Sequence, residues 1–258
     1  MKLQKLNVHH NGLNLGLAAL RQDGDCGHIL CIHGLGCTKA SFAGIGNIGA
    51  LRGYGCVCFD LPGFGDSERP GGFSYRMEDH AEVCRQVVDE AGFEHVHLVC
   101  HSMGGVIGLI LAEMIPHRVA GFVNVEGNLV KDDCRPMQIE CEKFVRGFSA
   151  DLERIRDTLP EPIAQTVYDW QSQSDPYGYY HSQVSLGEWS GSGRLLEMFV
   201  GLKARKAFMY GENNAGNPVL GMLRDHVEMI GVADSGHFMM LDNSDLFYTQ
   251  LAGFITAE

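Results

Sequence analysis

The sequence predicts an α/β fold: a mostly parallel, twisted sheet with helices on both faces, interrupted by a helical insertion. Two observations carry that reading. Short apolar runs alternate with segments of helical period through the first half and again near the end, and most runs close in turns rich in Gly and Pro. Between residues 131 and 202 this alternation stops and only helical periodicity continues. Residues 1–130 and 203–258 are therefore expected to form the main body, with 131–202 as the inserted segment. A chain of 258 residues is long for one domain, but large α/β sheets reach this size as a single unit.

The elements follow in order. Leu3–Val8 alternates apolar and polar side chains and reads as a first strand, with Leu15–Leu20 as the second. His28–Ile32 is an apolar strand that runs into His33-Gly34-Leu35-Gly36, a loop able to expose backbone N–H groups. Cys56–Asp60 is the next strand, closed by Leu61-Pro62-Gly63-Phe64-Gly65-Asp66-Ser67. In Tyr75–Ala91 the residues Met77, Ala81, Cys84, Val87 and Val88 sit near a 3.6-residue period, which predicts a helix. Strand Val96–Cys100, helix Met103–Ile115 and strand Ala120–Val125 complete the first half. After the insertion come strands Ala204–Tyr210 and Val227–Val232 and a closing helix from Ser244 to Phe254.

The insertion starts with an amphipathic helix, because Met137, Cys141, Phe144, Val145 and Phe148 fall at i, i+4, i+7, i+8 and i+11. Pro160, Pro162 and the run Asp175-Pro176-Tyr177-Gly178 mark breaks between helices. Trp170, Trp189, Tyr168, Tyr177, Tyr179 and Tyr180 suit two roles, the roof of a binding pocket or packing that fixes the insertion to the main body. Gly187, Gly191 and Gly193 offer a hinge.

Composition narrows the partners. A formal charge of −12 and a pI near 5.4 speak against nucleic acid and anionic membranes, both of which need clustered Lys and Arg. A small neutral or apolar substrate is expected. The N-terminus alternates too regularly for a signal peptide, and the longest apolar run, Gly104 to Ile115, is broken by Glu113 and stopped by Pro116. We therefore expect a soluble, cytoplasmic protein with no membrane span. The nine cysteines include no C-x-x-C pair and are expected to be reduced structural thiols, with Cys56 and Cys58 on one face of a strand and Cys31 in another. No histidine spacing suggests a metal, so neither a metal nor a cofactor is expected.

Cys100-His101-Ser102-Met103-Gly104-Gly105 lies between a predicted strand and a predicted helix. It reads as a nucleophile elbow, a tight turn that holds a serine clear of the sheet at a helix N-terminus and demands small neighbours. Gly104 and Gly105 are small; Cys100 stands where the G-x-S-x-G signature has glycine. Together with His33-Gly34-Leu35-Gly36, Asp60 to Ser67 and the late Ser235-Gly236-His237-Phe238, these motifs resemble the α/β-hydrolase superfamily in its branch with a helical cap. The resemblance runs from about residue 5 to the C-terminus and is weakest across the insertion.

A serine hydroxyl needs a base to take its proton, and the base needs a carboxylate to fix its tautomer. Ser102 and His237 fit the first two roles. The resemblance implies an acid three residues after the glycine that ends the strand following the cap, and here that place is Asn214. Glu126, at the exit of Ala120–Val125, matches an alternative acid position of some relatives, such as certain haloalkane dehalogenases, and is favoured over Glu212 and Asp234. The resemblance also implies an oxyanion hole from the backbone N–H groups of Leu35 and Met103, whose side chains would line an acyl pocket, and structural roles for His33, His101 and Asp60 to Ser67. The expected activity is hydrolysis of carboxylic esters with small to medium acyl groups through an acyl-Ser102 intermediate. Thioesterase, lactonase, C–C bond hydrolase and acyltransferase chemistry use nearly the same residues. Relatives with dehalogenase or epoxide hydrolase activity have Asp where Ser102 stands. A non-hydrolytic binding protein is the alternative outside enzymes.

Overall fold

The computed structural model describes residues 1–134 and 136–257. Eight strands form one sheet in the order β1-β2-β4-β3-β5-β6-β7-β8. They are β1 (Lys2–His10), β2 (Leu13–Gln22), β3 (His28–Ile32), β4 (Gly55–Phe59), β5 (Val96–His101), β6 (Val119–Val125), β7 (Arg205–Gly211) and β8 (Glu228–Val232). β1 and β2 pair antiparallel across Asn11-Gly12, a two-residue turn with both residues left-handed (φ 48° and 82°), the conformation that Asn-Gly favours in hairpins. β2 also pairs antiparallel with β4, and every pair from β4 to β8 is parallel.

Side-chain alternation sends each strand to two cores. In β3, Leu30 and Ile32 point to the layer that holds α1 (Met77–Glu90) and α2 (Met103–Met114). Ile29 and Cys31 point to the opposite layer, under a 3-10 helix (Lys39–Asn47), α8 (Met239–Asp242) and α9 (Ser244–Thr256). The sheet is thus covered on both faces, which accounts for the unbroken apolar character of β4, buried along its whole length.

Between β6 and β7 lie α3 (Cys141–Arg156), α4 (Ile163–Ser172), α5 (Pro176–Gly191) and α6 (Leu195–Gly201). Asp175 caps α5, accepting from the N–H groups of Tyr177 and Gly178, with Pro176 in the first turn. α5 is tied to α1: the Met77 N–H donates to Ser185 Oγ at 3.1 Å, and His80 Nε2 lies 3.2 Å from Ser182 Oγ.

The predicted elements are all present, with ends displaced by a few residues. Tyr75 is left-handed (φ 59°), so α1 starts at Met77 and not at Tyr75. Met137 precedes α3, which starts at Cys141. Gly187 and Gly191 lie within α5, whereas Gly193 follows it with φ 74°. α7 (Pro218–Leu223) and α8 carry too few residues to display a period, and the nine-residue 3-10 helix turns every three residues and not every 3.6, so the sequence reveals none of them.

Candidate active site

The parallel strands exit along one edge of the sheet, so residues far apart in sequence meet there. Ser102 leaves β5 with φ 53° and ψ −120°, a strained conformation for a residue with a Cβ. The turn closes only because its neighbours are small. A Cβ on Gly104 would lie 2.3 Å from the Ile32 carbonyl oxygen. Cys100 is accommodated from the helix side: a Cβ on Gly108 would come within 2.4 Å of its sulfur. The space that G-x-S-x-G usually provides on the strand is provided here one turn into α2. Ser102 therefore sits at the N-terminus of α2, where unpaired N–H groups and the helix dipole favour negative charge.

Glu126 leaves β6 with φ 44°, and its N–H donates to the Met209 carbonyl at 3.0 Å, tying this turn to β7. Its Oε2 is 2.9 Å from His237 Nδ1. Its Oε1 accepts from the Gly211 N–H at 3.0 Å, and Asn214 Nδ2 lies 2.9 Å from both carboxylate oxygens. Burial by itself would raise the Glu126 carboxyl, but the hydrogen bond and charge of His237, with the amides of Asn214 and Gly211, outweigh it and hold the group below the ordinary carboxylate range. An ionised Glu126 accepts, so Nδ1 of His237 carries the proton and Nε2 is the basic nitrogen. Glu212 and Asp234, the other carboxylates considered from sequence, are exposed.

Two supports of this histidine were not legible in the sequence. The Gly236 N–H donates to Asp242 Oδ2 at 2.9 Å, and His101 Nε2 donates to the His237 carbonyl at 3.0 Å. Burial keeps His101 well below the usual imidazole value, so its ring is a neutral donor. His33 is likewise lowered by burial; it accepts the Leu61 N–H at Nε2 (3.0 Å) and donates from Nδ1 to the Gly34 carbonyl (2.8 Å), which fixes the glycine-rich loop. Asp60, fully buried, accepts from the Asp66 N–H and the Lys39 ammonium and acts as a brace of that same region.

Ser102, Glu126, Asn214 and His237 line a cavity of about 500 Å³. Leu35 lines it too, but the Met103 side chain is buried in the core below, contrary to the acyl-pocket role that the resemblance implied for it. Met103 is the first residue of α2, so its N–H has no intrahelical acceptor. Tyr179, Gln183 and Leu186 of α5 also line the cavity. Of the six aromatics considered as a pocket roof, Tyr179 alone reaches this cavity among the described residues. Tyr177 packs against Tyr75 of the main body, Tyr168 meets Arg156 and Trp189 meets Arg194.

Residues 27–192 match the model of the alpha/beta hydrolase fold family. Over 181 residues the chain is 29% identical to a 2-hydroxy-6-oxononadienedioate/2-hydroxy-6-oxononatrienedioate hydrolase of Paraburkholderia phymatum, a match covering 64% of this chain and 60% of that protein. Over 75 residues it is 40% identical to haloalkane dehalogenase 2 of Mycobacterium tuberculosis, 29% of this chain and 26% of that one. The chain thus spans less than two thirds of these relatives. Among solved structures, an N-acyl homoserine lactonase complexed with N-butanoyl homoserine superposes with a TM-score of 0.78 at 19% identity, covering 100% of this chain and 99% of that one. A thermophilic esterase from Thermogutta terrifontis gives a TM-score of 0.76 at 17% identity, covering 99% and 98%. At such identities these two likenesses speak for the fold. No helix among the described residues is long and apolar enough to cross a membrane.

Proposed function

Because this chain belongs to the alpha/beta hydrolase fold family, we propose that it is a serine hydrolase cleaving carboxylic esters with small to medium acyl groups. The observation that carries the reading is the 2.9 Å contact between Glu126 and His237 in the cavity that Ser102 also lines. In the proposed cycle, Nε2 of His237 takes the Ser102 proton as Oγ attacks the ester carbonyl. Glu126 offsets the imidazolium charge without itself becoming protonated. The backbone N–H groups of Leu35 and Met103 stabilise the oxyanion, with the N-terminus of α2 behind Ser102 adding to the favourable field. The imidazolium then protonates the departing alcohol, leaving acyl-Ser102, and water activated by the same histidine releases the acid. Residues 131–202 act as a cap, with α5 closing the cavity.

The charge of the cavity favours neutral substrates over dianions such as those named for the Paraburkholderia relative. Glu126, Asp132 and Asp133 line it, and no Lys or Arg does so among the described residues. A substrate carboxylate entering it would be desolvated without a cationic partner.

The test is hydrolysis of p-nitrophenyl esters from acetate to decanoate by the wild-type protein and by Ser102→Ala. The wild type is expected to turn over the shorter esters, with loss of at least about 10³-fold in the variant. Equal rates in both proteins would refute the serine mechanism. No turnover of any ester by the wild type would instead favour a non-hydrolytic binding role.

A further inference from the structure

On the opposite face of the sheet from α1 and α2, three cysteines from two strands meet. Cys31 of β3 stands in register with Cys58 of β4, and Cys56 lies two residues before Cys58 on the same strand face. Their sulfur atoms all lie within 4.8 Å of one another, and the Cys56 and Cys58 sulfurs are 3.9 Å apart. All three thiols are outside disulfides and buried, at 1%, 1% and 0% exposure. Phe42, Ile45 and Tyr248 belong to the apolar layer that encloses them, and the Cys58 thiol donates to the Phe42 carbonyl at 3.9 Å.

We propose that Cys31, Cys56 and Cys58 form a three-sulfur site for a soft trivalent metalloid centre, arsenic(III), separate from the Ser102 cavity. Three arguments select that class. Sulfurs bound about 2.3 Å from a common soft centre stand about 3.5–4 Å apart, and the Cys56 and Cys58 sulfurs already stand 3.9 Å apart. Three donors are present, and among the described residues no fourth His, Cys, Asp or Glu joins them, whereas structural zinc takes four. Charge decides the rest. A monovalent or divalent ion on three thiolates would leave net charge in a dry core, while a trivalent centre leaves none.

The reaction balances without a redox step. Arsenous acid and three thiols form a tris-thiolate and three waters: three As–O bonds break, three As–S bonds form, and each thiol proton leaves on a hydroxide. Burial holds Cys31 and Cys58 well above the usual thiol range, so they meet the reagent as thiols. Because the site is enclosed, arsenic enters when the layer around Tyr248 opens or as the chain folds.

The test uses the full chain, reduced, with sodium arsenite added either to native protein or during refolding from denaturant. Bound arsenic is counted by intact-protein mass spectrometry, and its sulfur neighbours by arsenic X-ray absorption. One arsenic per chain with three sulfur neighbours is expected, retained in Cys26→Ala and Cys141→Ala and weakened at least tenfold in Cys31→Ala or Cys58→Ala. No stoichiometric arsenic under either mode of addition overturns the proposal. So do a count of one or two sulfurs, or undiminished binding in Cys58→Ala. The sulfur count on the unmodified chain needs no variant, so a variant that fails to fold does not protect the idea.

Discussion

Among single residues, the exchange between positions 126 and 214 has the widest consequences. Asn214 stands where the family resemblance implies the acid, and its amide nitrogen instead lies 2.9 Å from both oxygens of Glu126. An aspartate there would set two carboxylates side by side, so an amide at 214 and a carboxylate at 126 are mutually consistent. Glu126→Gln is expected to lower kcat by about 10³–10⁴-fold, since the amide cannot offset the imidazolium. Asn214→Asp in the Glu126→Gln background is expected to recover about tenfold, or about 1.4 kcal/mol relative to Glu126→Gln alone, read from steady-state kinetics of the two variants. A double variant no faster than Glu126→Gln alone would show that position 214 cannot serve the histidine. The glutamate was a candidate in the sequence because it follows a strand parallel to that of Ser102. The amide clamp was not, because hydrogen bonds across 88 positions leave no local pattern.

Elements show how local chemistry and packing share the work. The strand-turn-helix at Ser102 is legible from Gly104, Gly105 and the flanking apolar runs, whereas the departure at Cys100 makes sense only with α2 in place. The thiol occupies the room left by Gly108. Gly108→Ala is therefore expected to destabilise the protein by about 1–3 kcal/mol in urea unfolding, the range for overpacking a core. The same change in a Cys100→Ala background should cost markedly less; equal penalties in both would show that the sulfur does not set the constraint. The β1–β2 hairpin carries its own signal in Asn11-Gly12, which suits a left-handed two-residue turn. By contrast, α8 is a short segment whose place is set by the histidine loop, with Asp242 holding the Gly236 N–H, and it has no propensity signature of its own.

For the whole molecule, burial of histidine links the fold to pH. Burial lowers His33, His80 and His101, with His80 pushed down to about 3. In the unfolded chain each takes a proton near pH 6.5, while the folded protein keeps them neutral, so stability falls as pH drops below about 6.5 by up to about 1.4 kcal/mol per pH unit for each. Glu126 acts lower: held below its ordinary range, it contributes stability above about pH 4.3 that is lost as pH falls through its folded value. Urea midpoints should therefore decline from pH 7 to pH 5, and His80→Gln should flatten that decline by about one proton. An unchanged slope would mean that His80 charges within the fold. The sequence by itself determined the alternation of strands and helices, the strand-turn-helix at Ser102 and the purely helical stretch between β6 and β7, because periodicity and turn chemistry act over a few neighbouring residues. Only the tertiary structure decided that Glu126 faces His237, that Tyr179 of α5 faces the cavity, and that three cysteines share one spot beneath the sheet. Those outcomes depend on which strand lies beside which and how tightly side chains fill the space between layers, and neither is written in any short stretch of chain.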